Sequence, residues 1–260
     1  MGRCICQWTH RVFNWRPTFY RTHAMNNVEQ NLAQWKDSLF PSFYVGGLLS
    51  RSPIAYKWKA PFRSLMLREA TFWRIYDLLT QSYLLHQKRH GLGARILLRS
   101  GFESLATLIH LNQLMQKVLD GSLNFHVFTY KTTRLLAGSK NDSTGAESIN
   151  IVTVLAHCDK RYLGLMKQYA DLSESAHPSY EGLCVGYSTV DLDEYETKFS
   201  NRWMELYGDQ HLESMNLCME TFHHEYNDVW AGLIVNLEKW IEANDADLEA
   251  TKNDPLPAGS

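Results

Sequence analysis

Apolar residues recur along most of the chain at spacings of three and four, the spacing of an amphipathic helix. A first helix is predicted over residues 26–40, with Pro41 ending it. Three more are predicted over about 61–89, 94–119 and 123–136. No long stretch alternates apolar and polar residues, so these regions indicate helices and not strands.

The second half of the chain follows the same pattern. A fifth helix is predicted over about 147–172, and His177-Pro178 stops it because proline disfavours a helical residue before it. Residues 181–189 are irregular, with room for a brief extended piece. A sixth helix is predicted over about 192–244, with a break near Gly208. The predicted architecture is an all-α bundle of five to seven helices.

The two ends of the chain differ in composition from the part between them. Residues 1–24 are rich in arginine and lack acidic residues, and we interpret them as a disordered extension or a mis-assigned start. Residues 25–244 form one predicted helical domain. Residues 245–260 are acidic and then contain proline and glycine, which predicts a flexible tail.

Composition excludes several classes of protein. Hydrophobic residues make up 45% and charged residues 21%, which is typical of a globular chain and excludes wholesale disorder. The net charge of -2 excludes a protein that coats DNA by bulk charge. No apolar run is long enough to span a membrane. The five cysteines are odd in number and widely spaced, which favours reduced thiols in the cytoplasm.

The third predicted helix carries a polar stripe on an otherwise apolar surface. Arg99, Glu103 and His110 share one narrow face, and Arg99 and Glu103 are four residues apart, where side chains meet along a helix. The stripe faces a cavity, a partner side chain or solvent, because an unpaired buried charge is costly. We take His110 as a candidate binding residue.

A second candidate segment follows the fifth helix. Residues 169–182 place hydroxyls and carboxylates around His177, whose imidazole exchanges protons near neutral pH. Ser173, Glu174 and Tyr180 are the candidate binding residues beside it. The alternative is an ordinary helix C-terminus, where histidine also suits the helix dipole.

A di-iron carboxylate protein is a further alternative. Glu-x-x-His occurs at 174–177 and 220–223, and Glu69 and Glu103 are available as the remaining ligands of such a bundle. The chain lacks the phosphate-loop, dinucleotide-binding, zincin and hydrolase motifs. Neither a cofactor nor a metal is assigned to the candidate site.

Two stretches resemble a family of mostly uncharacterised bacterial helical proteins. Residues 97–105, Leu-Leu-Arg-Ser-Gly-Phe-Glu-Ser-Leu, resemble its Arg-Ser-x-x-Glu helix, and residues 169–178 resemble its Leu-Ser-x-x-x-His-Pro turn. That family is similar to HEPN (higher eukaryotes and prokaryotes nucleotide-binding) domains. The resemblance implies an RNA-binding or metal-independent ribonuclease bundle in a defence or toxin context, and homodimers are an expectation from related bundles.

The resemblance implies catalytic roles for three residues. His177 would act as general acid or base, Arg99 would stabilise charge on the phosphate, and Glu103 would orient Arg99. Active HEPN ribonucleases carry an arginine a few residues before the histidine, whereas the nearest arginine upstream of His177 is Arg161. This departure favours the alternative of a non-catalytic helical interaction or regulatory module.

Overall fold

The computed structural model describes residues 27–141 and 143–256. The expectation for residues 1–24 lies outside these residues. The described part holds ten α-helices and one small two-stranded sheet, which confirms the all-α prediction. None of the described helices is both long and apolar enough to cross a membrane.

The elements follow one another in this order. The first six helices are α1 (Val28–Ser38), α2 (Val45–Arg51), α3 (Pro53–Lys57), α4 (Lys59–Gln87), α5 (Gly91–Leu119) and α6 (Phe125–Ala137). The next elements are α7 (Ile151–Asp159), α8 (Leu165–Ala176), a π-helical turn (Tyr180–Val185), β1 (Ser188–Asp191) and β2 (Glu196–Phe199). The chain continues through α9 (Trp203–His224), a second π-helical turn (Glu225–Val229) and α10 (Trp230–Thr251).

Helix α5 is the centre of the bundle. It packs against α4, α6, α7, α8, α9 and α10. Leu98, Phe102, Leu105 and Leu108 are fully buried on it. Burial of each such side chain stabilises the fold by about 1.5–3 kcal/mol, so the apolar surface of α5 holds the other helices in place.

Asparagine side chains begin several helices by capping free backbone N–H groups. The Asn27 side chain accepts from the backbone N–H groups of Glu29 and Gln30 at the start of α1. Asn124 caps α6 and Asn150 caps α7 in the same way. Local polar residues therefore fix where these helices start.

The predicted number of five to seven helices is too low, because short helices and an internal break add to it. The segment over 42–53, between the first two predicted helices, contains α2 and the start of α3, which Ser52 caps and Pro53 begins. The predicted helix over 147–172 is split into α7 and α8. Gly164 separates them with a φ of 96°, a left-handed conformation that favours glycine.

The last predicted helix also differs from the structure. Its first residues belong to the β1–β2 hairpin, and Gly208 lies inside α9 without breaking it. The interruption occurs instead at the π-helical turn that starts at Glu225. Helix α10 passes through Asp245, whose carboxylate accepts from Lys57 and Trp58, so part of the predicted tail is helical and fixed to α3 and the residue after it.

Candidate functional site

Helices α5 and α8 run antiparallel along a polar interface that we call the α5–α8 seam. Its members are Arg95, Arg99 and Glu103 from α5 and Tyr169, Ser173 and Ser175 from α8. Contacts shift toward the start of α8 as they move toward the end of α5, from Ser175 at Arg95 to Tyr169 at Glu103. The two candidate sequence segments therefore meet in space.

The Arg99 guanidinium is the centre of the seam. Its Nε donates to the Ser173 hydroxyl over 2.8 Å, and its Nη2 donates to the Tyr169 hydroxyl over 2.6 Å. Nη2 also lies 3.3 Å from a Glu103 carboxylate oxygen. The Tyr169 hydroxyl donates to that same oxygen over 3.1 Å. A closed set of charge-assisted hydrogen bonds thus joins the two helices.

The seam is only half-buried. The Arg99 and Glu103 side chains are 24% and 22% exposed. Solvent weakens an ion pair at this depth, so its contribution is modest, while the hydrogen bonds to Tyr169 and Ser173 add geometric specificity. The arrangement can position a guanidinium or hold two helices in register.

Arg95 extends the seam by one helical turn, and the sequence patterns did not single it out. Its Nε donates to the Ser175 hydroxyl over 2.7 Å and its Nη2 to the Asp171 carbonyl over 2.9 Å. Its guanidinium lies 4.0 Å from the centre of the Tyr207 ring on α9. Burial lowers the pKa of Arg95. The signal available was its position four residues before Arg99 on the same face.

His177 lies at the end of α8 and does not join Arg99 and Glu103. Its backbone is extended, with φ of -94° and ψ of 147°, as expected before Pro178. The residue is exposed, and within the described chain its imidazole makes no hydrogen bond with the Arg99 or Glu103 side chain. The structure thus brings together two of the three predicted catalytic residues.

The turn after His177 depends on a glycine. A Cβ placed on Gly182 would lie 2.0 Å from the His177 carbonyl oxygen, which no side chain tolerates. The Ser179 hydroxyl accepts from the Gly182 N–H at the start of the first π-helical turn. Only glycine permits this close approach, which fixes the path of the chain after His177.

The four predicted binding residues lie in different surroundings. Ser173 belongs to the seam, whereas Glu174 and Tyr180 point to solvent. His110 stacks on His157 of α7, with ring centres 5.9 Å apart. Burial first, and the neighbouring His157 second, lower the pKa of His110 to about 4. Only Ser173 therefore shares a site with Arg99.

The residues proposed for a di-iron site do not converge. Glu69 is bonded to Arg68 and accepts from the Tyr226 hydroxyl over 2.9 Å, whereas Glu103 belongs to the seam. Over residues 27–141 and 143–256, no three His, Cys, Asp or Glu side chains are grouped to hold a metal ion. The described residues provide no ligand set for this alternative.

A second polar cluster, the Glu225 network, escaped the sequence patterns. The Glu225 carboxylate is fully buried and accepts from Asn112 Nδ2 over 2.6 Å and from the Tyr162 hydroxyl over 2.6 Å. Arg161 Nη2 lies 3.1 Å from it. Asn112 also donates to the Glu225 backbone carbonyl over 3.0 Å. Burial, followed by the nearby carboxylate, raises the pKa of both Tyr162 and Cys158.

The π-helical turn explains how this carboxylate is positioned. A π-helical turn bonds each N–H one residue further back than an α-helix, which turns the following residues to a different face. Asn112 caps the altered backbone at the Glu225 carbonyl. Neither a spacing nor a residue type in the sequence indicates such a turn, because the network forms only in the folded chain.

No protein-family model matches the chain, and no curated protein or solved structure matches it. The resemblance to HEPN domains therefore remains an expectation based on the two motifs.

Proposed function

We propose that this chain is a non-catalytic helical interaction module, in which the α5–α8 seam holds two helices in register. The observation that supports it is the set of partners of Arg99. Its Nε and Nη2 groups donate to Ser173 and Tyr169, and Nη2 also faces the Glu103 carboxylate. A guanidinium whose hydrogen bonds go to side chains of two packed helices holds those helices together.

A ribonuclease would need a different arrangement around Arg99. A phosphate would compete with the Glu103 carboxylate for the Nη2 group of Arg99. That group already donates to the Tyr169 hydroxyl as well. A general base must also reach the proton it removes, and an orienting partner fixes its position. His177 is exposed and one helical turn beyond Ser173. These features favour the interaction module.

Two concavities formed by the described residues do not include the predicted catalytic residues. One is a concavity of the loop that connects α6 and α7, lined by Ser139 and residues 144–148. The other is a narrow gap between α4, α5 and α9, lined by residues that include Arg95, Trp203 and His211. Because neither pocket is lined by Arg99 or His177, neither offers a substrate site at the predicted catalytic residues.

We further propose a cytoplasmic location. Among the described residues, Cys158, Cys184 and Cys218 are free thiols, and Cys158 and Cys218 are buried. Free cysteines are the rule in a reducing compartment.

RNA cleavage assays test the proposal. Purified wild type, Arg99→Ala and His177→Ala proteins are incubated with a panel of single-stranded and structured RNAs in the presence of EDTA, and unfolding free energies are measured in parallel. We expect no cleavage by any of the three, a lower stability for Arg99→Ala and an unchanged stability for His177→Ala. Cleavage by the wild type that His177→Ala abolishes without loss of stability would establish the ribonuclease instead.

A further inference from the structure

The β1–β2 hairpin has two chemically different faces. In the register of the pair, Ser188 lies opposite Phe199 and Val190 opposite Thr197. Because side chains alternate along a strand, these four residues share one face. The other face carries Thr189, Asp191, Glu196 and Lys198, and Lys198 Nζ lies 3.5 Å from Asp191 and 3.3 Å from Glu196.

No described residue covers the hairpin face that carries Val190 and Phe199, which we call the apolar face. Val190 is 66% exposed and Phe199 is 81% exposed. Leu192 and Tyr195, in the turn between the strands, are more than three-quarters exposed as well. A two-stranded hairpin is only marginally stable by itself in water, and clustered exposed apolar residues mark interaction sites.

The base of the hairpin is nevertheless held firmly. Arg202 Nη1 donates to the Ser188 carbonyl over 3.0 Å and to the Val185 carbonyl over 3.3 Å. The Ser200 N–H donates to the Tyr187 carbonyl over 2.9 Å. These bonds fix the direction in which the hairpin leaves the bundle. Less conformational entropy is therefore lost when a partner binds.

Within the described part of the chain, backbone groups on the outer edge of β2 have no hydrogen-bond partner. The bond from Ser200 to Tyr187 makes these opposed residues a hydrogen-bonded pair, and such pairs alternate along an antiparallel ladder. The backbone N–H and C=O groups of Thr197 and Phe199 therefore point away from β1. An unpaired edge of this kind accepts a further strand.

The hairpin carries a net negative charge, which favours a basic partner. Its turn and charged face contain four carboxylates, those of Asp191, Asp193, Glu194 and Glu196, against the single ammonium group of Lys198. Edge pairing with the hairpin of a second copy would bring two acidic surfaces together, which is unfavourable. A strand with apolar residues on one face and basic residues on the other matches both faces of the hairpin.

We propose that the outer edge of β2 binds an extended segment of a partner protein in which apolar and basic residues alternate. The segment adds a third strand to the sheet, its apolar side chains cover Val190 and Phe199, and its basic side chains meet the carboxylates. This inference rests on the proposed interaction function and names its docking surface.

Peptide binding to the full chain tests this proposal. The probe is a fluorescein-labelled peptide of four Val-Lys repeats, followed by fluorescence anisotropy, with four Val-Glu repeats as the charge control. Thr197→Pro removes an outward N–H without removing a bond to β1, and Thr197→Ala is its matched control. We expect the Val-Lys peptide to bind, the Val-Glu peptide not to bind, and Thr197→Pro to weaken binding at least tenfold, with Thr197→Ala close to wild type.

Phe199→Ser provides a second variant that leaves the backbone edge intact, and we expect it to weaken binding about fivefold through lost apolar contact. Absence of peptide binding, or equal binding by Thr197→Pro and wild type, would overturn the proposal. Self-association in sedimentation that Thr197→Pro abolishes would overturn it in favour of a second copy. These results are independent of RNA cleavage, so failure of the docking surface is distinct from failure of the proposed function.

Discussion

The α5–α8 seam and the Glu225 network use the same kinds of side chain at different depths. Each joins a carboxylate to an arginine and a tyrosine hydroxyl and links separate parts of the chain. The seam carboxylate of Glu103 is 22% exposed, whereas Glu225 has no exposure. The comparison teaches that depth, more than residue identity, decides how much the fold depends on such a cluster.

Physical chemistry explains the difference. A half-exposed ion pair is screened by water and contributes on the order of 1 kcal/mol or less. A buried carboxylate has given up its water, so it requires its hydrogen-bond donors, and a group left without its partner in such a cluster is costly. Asn112 and Tyr162 provide those donors to Glu225. The network therefore holds α5, α9 and the segment after α7 more tightly than the seam holds α5 and α8.

The largest effect is expected at Glu225. Glu225→Ala removes the carboxylate that accepts from Asn112 and Tyr162 and leaves a cavity at the π-helical turn, so we expect it to lower the free energy of unfolding by about 3 kcal/mol. Urea denaturation followed by circular dichroism measures it. Glu220→Ala, an exposed glutamate on α9, is the control and should cost less than 0.5 kcal/mol. Equal losses for the two variants would contradict the comparison.

The second largest effect on the free energy of unfolding is expected when the pH is lowered. It arises from His211, which lies near Arg95 at the end of the seam. Burial first, then His86 and Arg95, lower the pKa of His211 to about 3. As the pH falls, His211 in the unfolded chain, with a histidine pKa near 6.5, takes up its proton before His211 in the folded chain. The stability that His211 contributes is therefore fully present above about pH 6.5 and is lost as the pH falls toward 3. We expect a loss of about 2 kcal/mol between pH 7 and 5 from this residue. The pH dependence of unfolding should be less steep in His211→Gln, and an identical slope would count against the assignment.

A smaller effect is expected at the seam itself. Arg99→Ala should lower the free energy of unfolding by about 1–2 kcal/mol, because it removes charge-assisted bonds from a half-exposed position. Arg99→Lys should recover little of it, since an ammonium group cannot reproduce the forked contact with Ser173 and Tyr169. Thermal and urea unfolding of the three proteins provide the values. A decrease in the free energy of unfolding as large as that of Glu225→Ala would contradict the claim that burial makes the Glu225 network more important to stability than the seam.

The smallest effect is expected at the hairpin. Phe199→Ser changes an exposed side chain outside the bundle core, so the free energy of unfolding should change by less than about 0.5 kcal/mol. Denaturation measures this change alongside the peptide-binding assay. A decrease in the free energy of unfolding above about 1 kcal/mol would mean that this face of the hairpin stabilises the fold and is not a free surface for a partner.

The long amphipathic helices were predictable because their periodicity extends over many turns. Helix α5 begins at Gly91 and ends at Leu119, where a helix over 94–119 was predicted. The roles assigned to Arg99, Glu103 and His177 implied that residues 97–105 and 169–178 lie close together, and Arg99 joins the two segments without His177. The partners of Arg99 on α8, Tyr169 and Ser173, lie within the quoted segment.

Other features depend on signals too short or too non-local to be visible in the sequence. The strands of the hairpin have four residues each, and their alternation resembles a helix start when no partner strand is known. The π-helical turn at Glu225 leaves no compositional mark. The conformation of the chain at His177 depends on Pro178 and on the close approach at Gly182, and the latter is a property of the folded chain.

A double-mutant cycle between Arg99 and Tyr169 tests the structural role of the seam most directly. Unfolding free energies are measured for the wild type, Arg99→Ala, Tyr169→Phe and the double variant, with RNA cleavage followed in the same four proteins. The account predicts a coupling energy of about 1 kcal/mol and no cleavage in any of them. A coupling energy near zero, together with cleavage by the wild type that Arg99→Ala abolishes, would contradict it.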